Sequence, residues 1–458
     1  MKKAISVMAA ATIIFSIGLI SSCAKSAALK ENPYEDDYSD RSLLSMRDQW
    51  GPANVHDPSI IKTDSFFYVY STDAYYREHG VNIFDTNEKI GNIPIRRSKD
   101  LIHWEFVGWA LDSIPTEAIE HIHALTDNKG AENIWAPYIL KYKDTYRLYY
   151  SVSSFGANTS FIGLAESSSP EGPWKDKGAV VKTDLSSPMN AIDPSVVTDA
   201  NNGRMWMHYG SYFNGLYCVE LNPENGKTIE KDNLGHLVAT RGERKEKIIE
   251  APEVIYHPEL KKYYLFVSYE PLFTYYNVRV GRSDHPEGPY YDYFGNNMAD
   301  TTNNYPILTH SYMFENHPGW SGNGHCAVIN DDGQFYMLHQ GRLAPDNLMM
   351  TMHVREMKWL SSGWPVVSPE RYANVQKQKI TSKQLLGRWE IIHLKDLKEQ
   401  TQLWQGQIPP GGWKYNRNAF NLSSILNFGS DGFTDDQNFK KWSFDGTNLL
   451  IDDSECEL

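Results

Sequence analysis

The chain has 458 residues, a formal net charge of −13 at pH 7 and 13% aromatic side chains. This length exceeds that of a single hydrophobic core and predicts one large domain with a smaller one beside it. The negative charge argues against binding to a phosphate backbone, so nucleic acid is excluded as a partner.

The N-terminus has the pattern of an export signal. Lys2 and Lys3 precede an apolar stretch that ends at Ile20, which is short for a lasting membrane span. Ile20-Ser21-Ser22-Cys23 resembles the bacterial lipobox, whose cysteine carries a lipid; an ordinary signal with an incidental Cys23 is the alternative. We therefore expect residues 1–22 to be a lipoprotein signal peptide. The exported protein would be held at the outer membrane, on its periplasmic or outer side, only through the lipid on Cys23.

The segment 23–47 is polar and predicts a flexible tether. Five segments that follow it share one plan, in which a short apolar strand, a polar turn and an aromatic strand form a hairpin. They open at Asp57-Pro58, Ala136-Pro137, Asp193-Pro194, Ala251-Pro252 and Gly324-His325. Additional strand signals raise the count to four strands per unit. Repeated four-stranded units around an axis form a propeller, and the recurring proline argues against the alternative, a β-sandwich.

We therefore predict an all-β protein with a five-bladed β-propeller catalytic domain over residues 48–374. Residues 375–458 contain further short strand and turn signals and predict a small C-terminal β-barrel-like domain. If Cys23 carries lipid, the remaining cysteines are Cys218, Cys326 and Cys456, which indicate neither a disulfide framework nor a zinc site.

The residues that open the inner strands of a propeller point to one central cavity. Here they are Asp57, Trp135, Asp193, Glu250 and His325. Glycosidic hydrolysis needs one carboxylic acid and one carboxylate, and a third acid nearby would raise the pKa of the proton donor. A single Asp-Pro pair is most often only a turn, but three acids at matching repeat positions favour catalysis.

Several motifs together resemble glycoside hydrolase family 43, the propeller enzymes that act on arabinan and xylan. They are Val55-His56-Asp57-Pro58-Ser59, Ser98-Lys99-Asp100-Leu101-Ile102-His103-Trp104, Asn133-Ile134-Trp135-Ala136-Pro137, Ala191-Ile192-Asp193-Pro194-Ser195, Glu250-Ala251-Pro252 and Gly322-Asn323-Gly324-His325.

The resemblance implies specific roles for the three acids. Asp57 would be the general base, Glu250 the general acid, and Asp193 the residue that orients Glu250 and tunes its pKa, in a reaction with inversion. Glu253 is a rival acid, but it occupies the repeat position of Ser59 and ranks lower.

Further segments are similar to those of the endo-arabinanases of this family, which cleave α-1,5-L-arabinan internally. The resemblance implies calcium near the axis, held by His325, and a monomer. The implied substrate contacts are Trp135, Asn190, Ser211, Tyr212, Phe213 and Arg342. Arg342 departs from the family pattern, because His339-Gln340-Gly341-Arg342 stands where His-x-Arg is usual.

Two other functions remain open on the sequence. The same scaffold and acids serve exo-acting α-L-arabinofuranosidases and β-xylosidases. Loop closure at one end of the groove decides between endo and exo action, and the sequence does not show that closure. A non-catalytic glycan-binding lipoprotein is an alternative of a different class, against which the presence of all three acids argues.

Overall fold

The computed structural model describes residues 7–10, 32–74, 90–242, 248–300, 303–344, 349–375, 379–397, 419–437, 439–446 and 449–453. Most of the predicted export signal, Cys23 and Cys456 lie outside these ranges. Within them, no helix has the length and apolar character needed to cross a membrane. Cys218 and Cys326 are buried thiols without a disulfide bond.

Four separate antiparallel sheets form four blades. The first blade contains β2 (Ser59–Lys62), β3 (Phe67–Tyr70), β4 (Asn92–Ser98) and β5 (Glu105–Leu111). The second contains β6 (Trp135–Tyr142), β7 (Thr145–Ser153), β8 (Ser160–Ser167) and β9 (Lys175–Thr183), and helix α1 (Thr116–Leu125) precedes it. The third contains β10 (Ser195–Thr198), β11 (Met205–Tyr209), β12 (Leu216–Asn222), β13 (Lys227–Thr228) and β14 (His236–Ala239). The fourth contains β15 (Ile249–His257), β16 (Lys262–Tyr269), β17 (Asn277–Ser283) and β18 (Ile307–Thr309).

The fifth sequence repeat lies in a larger sheet. Its strands are β21 (Ala327–Asp331), β22 (Gln334–Leu343), β23 (Thr351–Trp359) and β24 (Pro365–Val367). Asp332 and Gly333 both have positive φ, which forms the tight primed turn between β21 and β22. Two short strands, β19 (Tyr312–Met313) and β20 (Trp320–Ser321), connect β22 to the C-terminal strands, so that nine strands form one curled sheet.

The prediction of five separate blades is therefore wrong in its count. The structure has a propeller of four blades plus this curled sheet. The reason is that β22 extends beyond β21, and its free edge at Arg342 and Leu343 pairs with β20. Pairing at that edge involves β20, a strand outside the repeated hairpin. The repeat pattern therefore gives no information about this pairing.

Apolar clusters join neighbouring sheets around the axis. One cluster packs the first blade against the second, another the second against the third, and another the third against the fourth. Strands β21–β24 of the curled sheet pack against the fourth blade on one side and against the first blade on the other. Phe266 of the fourth blade joins Met337 in one cluster, and Val69 of the first blade joins Leu338 in another. The inner strands consequently surround one axis.

The N-terminal segment from residue 32 packs against the propeller, whereas the sequence predicts a tether up to residue 47. It forms two 3-10 helical turns, Ser39–Arg41 and Leu44–Gln49. Tyr38 is buried beside Met349, and Asp36 pairs with Arg371 at 2.8 Å.

The C-terminal module begins with the short helix α2 (Ser382–Leu385). Its strands are β25 (Gly387–His393), β26 (Asn421–Phe428), β27 (Phe439–Phe444) and β28 (Leu449–Asp453). The first strand of the chain, β1 (Val7–Ala10), pairs with β25. Strands β27 and β28 form a separate hairpin whose Trp442 packs on Phe428. Among the described strands, no pairing closes this module into a barrel, so the predicted barrel is not confirmed. The predicted all-β character of the protein is confirmed.

Candidate active site

Each inner strand of the ring opens with a residue in the left-handed region of backbone conformation. The φ angles are 50° at Asp57, 38° at Ala136, 56° at Asp193, 55° at Ala251 and 49° at His325. Non-glycine residues adopt this conformation rarely, and such strain concentrates at functional sites. Trp135 and Glu250 stand one residue before their turns, so Glu250 corresponds to His56 rather than to Asp57.

Hydrogen bonds between neighbouring blades hold these turns. The backbone N–H of Ala136 donates to Oγ1 of Thr72 at 2.7 Å, and that of Asp193 donates to Oγ of Ser151 at 3.2 Å. The backbone N–H of His325 donates to Oγ of Ser268 at 2.8 Å. Because the hydroxyl always belongs to the preceding blade, the ring fixes how far each turn projects toward the axis.

Asp57 is a buried carboxylate surrounded by positive and donating groups. Thr72 donates to its Oδ2 at 2.7 Å, and Nδ1 of His56 also lies 2.7 Å from Oδ2. Nδ1 of His325 lies 2.8 Å from Oδ1. Burial opposes ionisation, but His325 and then His56 outweigh it and hold the pKa of Asp57 well below its usual range. Asp57 is therefore ionised.

Glu250 and Asp193 are neighbouring buried acids. Oδ2 of Asp193 accepts a hydrogen bond from the backbone N–H of Ala251 at 3.1 Å, directly after Glu250. Ser211 donates to Oε2 of Glu250 at 2.7 Å. Burial raises the pKa of both carboxyl groups, and the nearby acids raise it further. Beside an ionised Asp57, the raised pKa values favour retention of a proton by this pair, as a proton donor requires.

Glu253 has a structural environment. Its Oε2 accepts from Ser195 at 3.0 Å, and its Oε1 accepts from the backbone N–H of Val328 at 3.0 Å. It connects the third blade, the fourth blade and the curled sheet. Ser59 makes the matching bond to Ile139 between the first two blades. These contacts favour Glu250 over Glu253 as the acid of the site.

The predicted substrate contacts fall into two groups. Ser211 contacts Glu250, and Tyr212 and Phe213 form a left-handed turn beside it, with φ of 56° and 45°. Trp135 is half-buried, and its indole N–H donates to Asn133 at 2.7 Å.

The other two predicted contacts are held inside the protein. Asn190 is buried, and its side-chain oxygen accepts from Ser160. Arg342 is buried with its guanidinium group 4.8 Å from the centre of the Phe273 ring.

Comparison with known proteins identifies the family of this acid-lined ring. The profile of the family described as glycosyl hydrolases family 43 matches residues 51–365. The chain belongs to glycosyl hydrolase family 43.

Characterised relatives of the family 43 chain carry names that differ in mode of action. An extracellular endo-alpha-(1->5)-L-arabinanase of Thermotoga petrophila is 29% identical over 76% of this chain and 78% of that protein. An extracellular exo-alpha-(1->5)-L-arabinofuranosidase of Cellvibrio japonicus is 29% identical over 71% of this chain and 90% of that protein. The crystal structure of an endo-1,5-alpha-L-arabinanase from Thermotoga petrophila superposes with a TM-score of 0.69 at 26% identity, covering 87% of this chain and 91% of that one.

The structure adds residues that the sequence reasoning missed. Thr72 and His56 contact Asp57, and Tyr276 faces Glu250. Phe155 is 65% exposed and meets the Trp135 ring edge-on, with 6.4 Å between ring centres. His56 lies inside a quoted family 43 motif and could have been found; the contacts of the other three join different strands and become visible only in the folded chain.

His325 contacts Asp57 through Nδ1, which leaves Nε2 as the ring nitrogen able to coordinate a metal. Without a metal, the pKa of His325 is raised to about 9: burial lowers it, but Asp57 and the other acids outweigh burial. A metal bound at Nε2 would therefore displace a proton. In the described part of the chain, no three His, Cys, Asp or Glu side chains are grouped to hold a metal ion. His325 would therefore need water molecules to complete a calcium shell.

Proposed function

We propose that this family 43 glycosyl hydrolase cleaves α-1,5-L-arabinan internally, with inversion at the anomeric carbon. The observation that carries the proposal is the meeting of Asp57, Asp193 and Glu250, where the surroundings lower the pKa of Asp57 and raise the pKa of the other two acids, so that this pair retains a proton. The arabinan specificity is supported by the names of the relatives.

The environments of the acids suggest how the reaction proceeds. Asp57, ionised beside His56 and His325, accepts a proton from the attacking water. Glu250, protonated in its buried position, donates its proton to the leaving sugar oxygen. The carboxylate formed there accepts a hydrogen bond from Ser211. Asp193 holds the turn after Glu250 and, by like-charge repulsion, keeps the proton on the pair.

A calcium ion at His325 is part of the proposal. A histidine that donates one ring N–H to a carboxylate commonly coordinates a metal through the other nitrogen, and His325 has this arrangement with Asp57. The bound ion would supply positive charge close to the acids. Water molecules would provide its remaining ligands.

We also infer that β21–β24 of the curled sheet complete the ring, because they pack on both the fourth and the first blade and follow the same left-handed turn at His325. A monomer is proposed because this ring is closed within one chain.

Export as a lipoprotein is proposed from the N-terminal sequence, and it agrees with relatives named as extracellular. Cys23→Ala should then release the protein from the membrane fraction of expressing cells, and an unchanged distribution would contradict the anchor.

An exo-acting α-L-arabinofuranosidase is the second candidate, supported by the similar Cellvibrio japonicus protein. The two differ in their early products. Endo action lowers the viscosity of linear arabinan quickly and releases mixed oligosaccharides, whereas exo action releases short products from the chain ends while viscosity persists.

The experiment compares wild type, Glu250→Gln and Glu253→Gln on debranched arabinan. We expect rapid formation of mixed oligosaccharides by wild type and by Glu253→Gln. Because Gln cannot donate the proton, Glu250→Gln should lose about 10²–10⁴-fold in kcat. An inactive wild type would contradict the function, full activity of Glu250→Gln would contradict the acid assignment, and a single short early product would favour exo action.

A further inference from the structure

Tyr276 occupies a position that the three-acid scheme does not use. It is the last residue before β17, it is only 1% exposed, and its hydroxyl group faces the carboxyl group of Glu250. A tyrosine buried so completely needs a partner for its hydroxyl group. Here that partner is the proposed general acid.

The ring of Tyr276 is held by close packing on Gly324. A Cβ atom at residue 324 would lie 2.4 Å from Cδ1 of Tyr276, closer than side chains can approach. Gly324 directly precedes His325, so the absence of a side chain there lets the tyrosine reach the axis. Thr274, two residues before Tyr276, is also fixed, because its carbonyl group accepts from Gly322 N–H at 3.2 Å and from the Ser311 hydroxyl group.

Glu250 therefore lies between two hydroxyl groups from different strands. Ser211 donates to Oε2 from the third blade, and Tyr276 approaches from the fourth. Two donors restrict rotation of a carboxyl group and so select the oxygen that presents the proton to the substrate. We propose that Tyr276 is a positioning residue for this reaction, whose hydroxyl group orients Glu250 toward the leaving oxygen. This inference rests on the proposed function, in which Glu250 is the general acid.

The hydroxyl group of Tyr276 also affects the proton affinity of Glu250. Burial raises the pKa of Glu250, Ser211 and Tyr276 lower it by donating to the ionised form, His325 lowers it and Asp57 raises it. Asp193 is coupled to Glu250 by like-charge repulsion. Burial and the same acids raise the pKa of Tyr276 well above its ordinary value, so Tyr276 stays protonated and donates.

The test is Tyr276→Phe, which keeps the ring and removes only the hydroxyl group. We expect kcat on arabinan to fall about 10-fold to 100-fold with little change in KM. The alkaline limb of the kcat/KM profile should move to higher pH by about half a unit to one unit, because Glu250 loses a donor to its ionised form. On an aryl arabino-oligosaccharide with a nitrophenolate leaving group, which needs little protonation, the loss should be much smaller.

Tyr269→Phe is the matched control. Tyr269 is a fully buried tyrosine of the same blade whose hydroxyl group contacts Asn304 instead of the acids. Its removal should leave the alkaline limb and the ratio of the two substrates unchanged. Gly324→Ala is a second variant that should reproduce the Tyr276→Phe pattern, because the new methyl group displaces the ring.

Two results would overturn the proposal. One is an unchanged kcat and pH profile in Tyr276→Phe. The other is an equal loss on both substrates with an unmoved alkaline limb, which would indicate a structural role only. A wild type inactive on arabinan but active on another glycan would contradict the proposed substrate instead, and the alkaline limb of kcat/KM on that glycan would still decide the role of Tyr276.

Discussion

At the scale of single residues, His325 connects the acids with the proposed metal. Its Nδ1 contact with Asp57 fixes the ring, and the opposite nitrogen is the atom at which we propose that calcium binds. Histidine is a weak calcium ligand beside oxygen donors, so the ion would depend on water and on the surrounding negative charge.

We expect wild type treated with EDTA to bind Ca²⁺ in a calorimetric titration, and His325→Gln to bind it at least about 10-fold more weakly. His56→Gln is the matched control, since it removes the other imidazole beside Asp57 and leaves His325 in place. Equal binding by all three proteins, or no heat with wild type, would contradict the site.

At the scale of elements, Glu253 bridges three sheets of the ring. Burial raises the pKa of its carboxyl group to about 7 in the folded protein, whereas an unfolded glutamate has a pKa of about 4.3. Between these values the folded state binds more protons than the unfolded state, so the contribution of Glu253 to stability falls as pH rises through this window.

Glu253→Gln lacks this titration. We therefore expect the melting temperature of wild type, relative to Glu253→Gln, to decline between about pH 4.5 and pH 7 and to level off above it. Thermal unfolding followed by circular dichroism in matched buffers measures this difference. A difference that stays constant with pH would show that Glu253 is not titrating as a buried group.

The elements also show what a sequence can predict. The Asp-Pro and Ala-Pro openings predict where the inner strands begin, because a repeated local turn carries its own geometry, but they do not show that Glu250 stands one residue before its turn. Tyr276 and Thr72 could not be assigned, since their contacts with Glu250 and Asp57 join different strands of one blade, and the local repeat pattern does not show which side chains meet across strands. The nine-stranded sheet was missed for the same reason, because β20 and β22 meet through a long-range edge.

At the scale of the whole molecule, the C-terminal module is attached to the propeller through a buried cation. Arg279 of the fourth blade is nearly inaccessible, and its guanidinium group lies 3.0 Å from Asp396, which also accepts from Asn303 at 3.1 Å. Asn421 adds a hydrogen bond to the Ser311 carbonyl group at 3.1 Å. The module and the fourth blade should therefore unfold together.

Asp396→Asn removes the charge that balances Arg279, and we expect it to destabilise the protein by about 1.5–3 kcal/mol, the usual contribution of a hydrogen bond to a charged group. Calorimetry should show one unfolding transition in wild type and a lower or divided one in the variant. Asp435→Asn is the control, because Asp435 contacts Asn427 within the module and the substitution leaves the Arg279–Asp396 pair in place. If wild type already unfolded in two separate transitions and Asp396→Asn changed neither, Arg279 and Asp396 would not couple the module to the ring. A single transition lowered only by Asp396→Asn would show that this one buried pair makes the module part of the same cooperative unit as the catalytic blades.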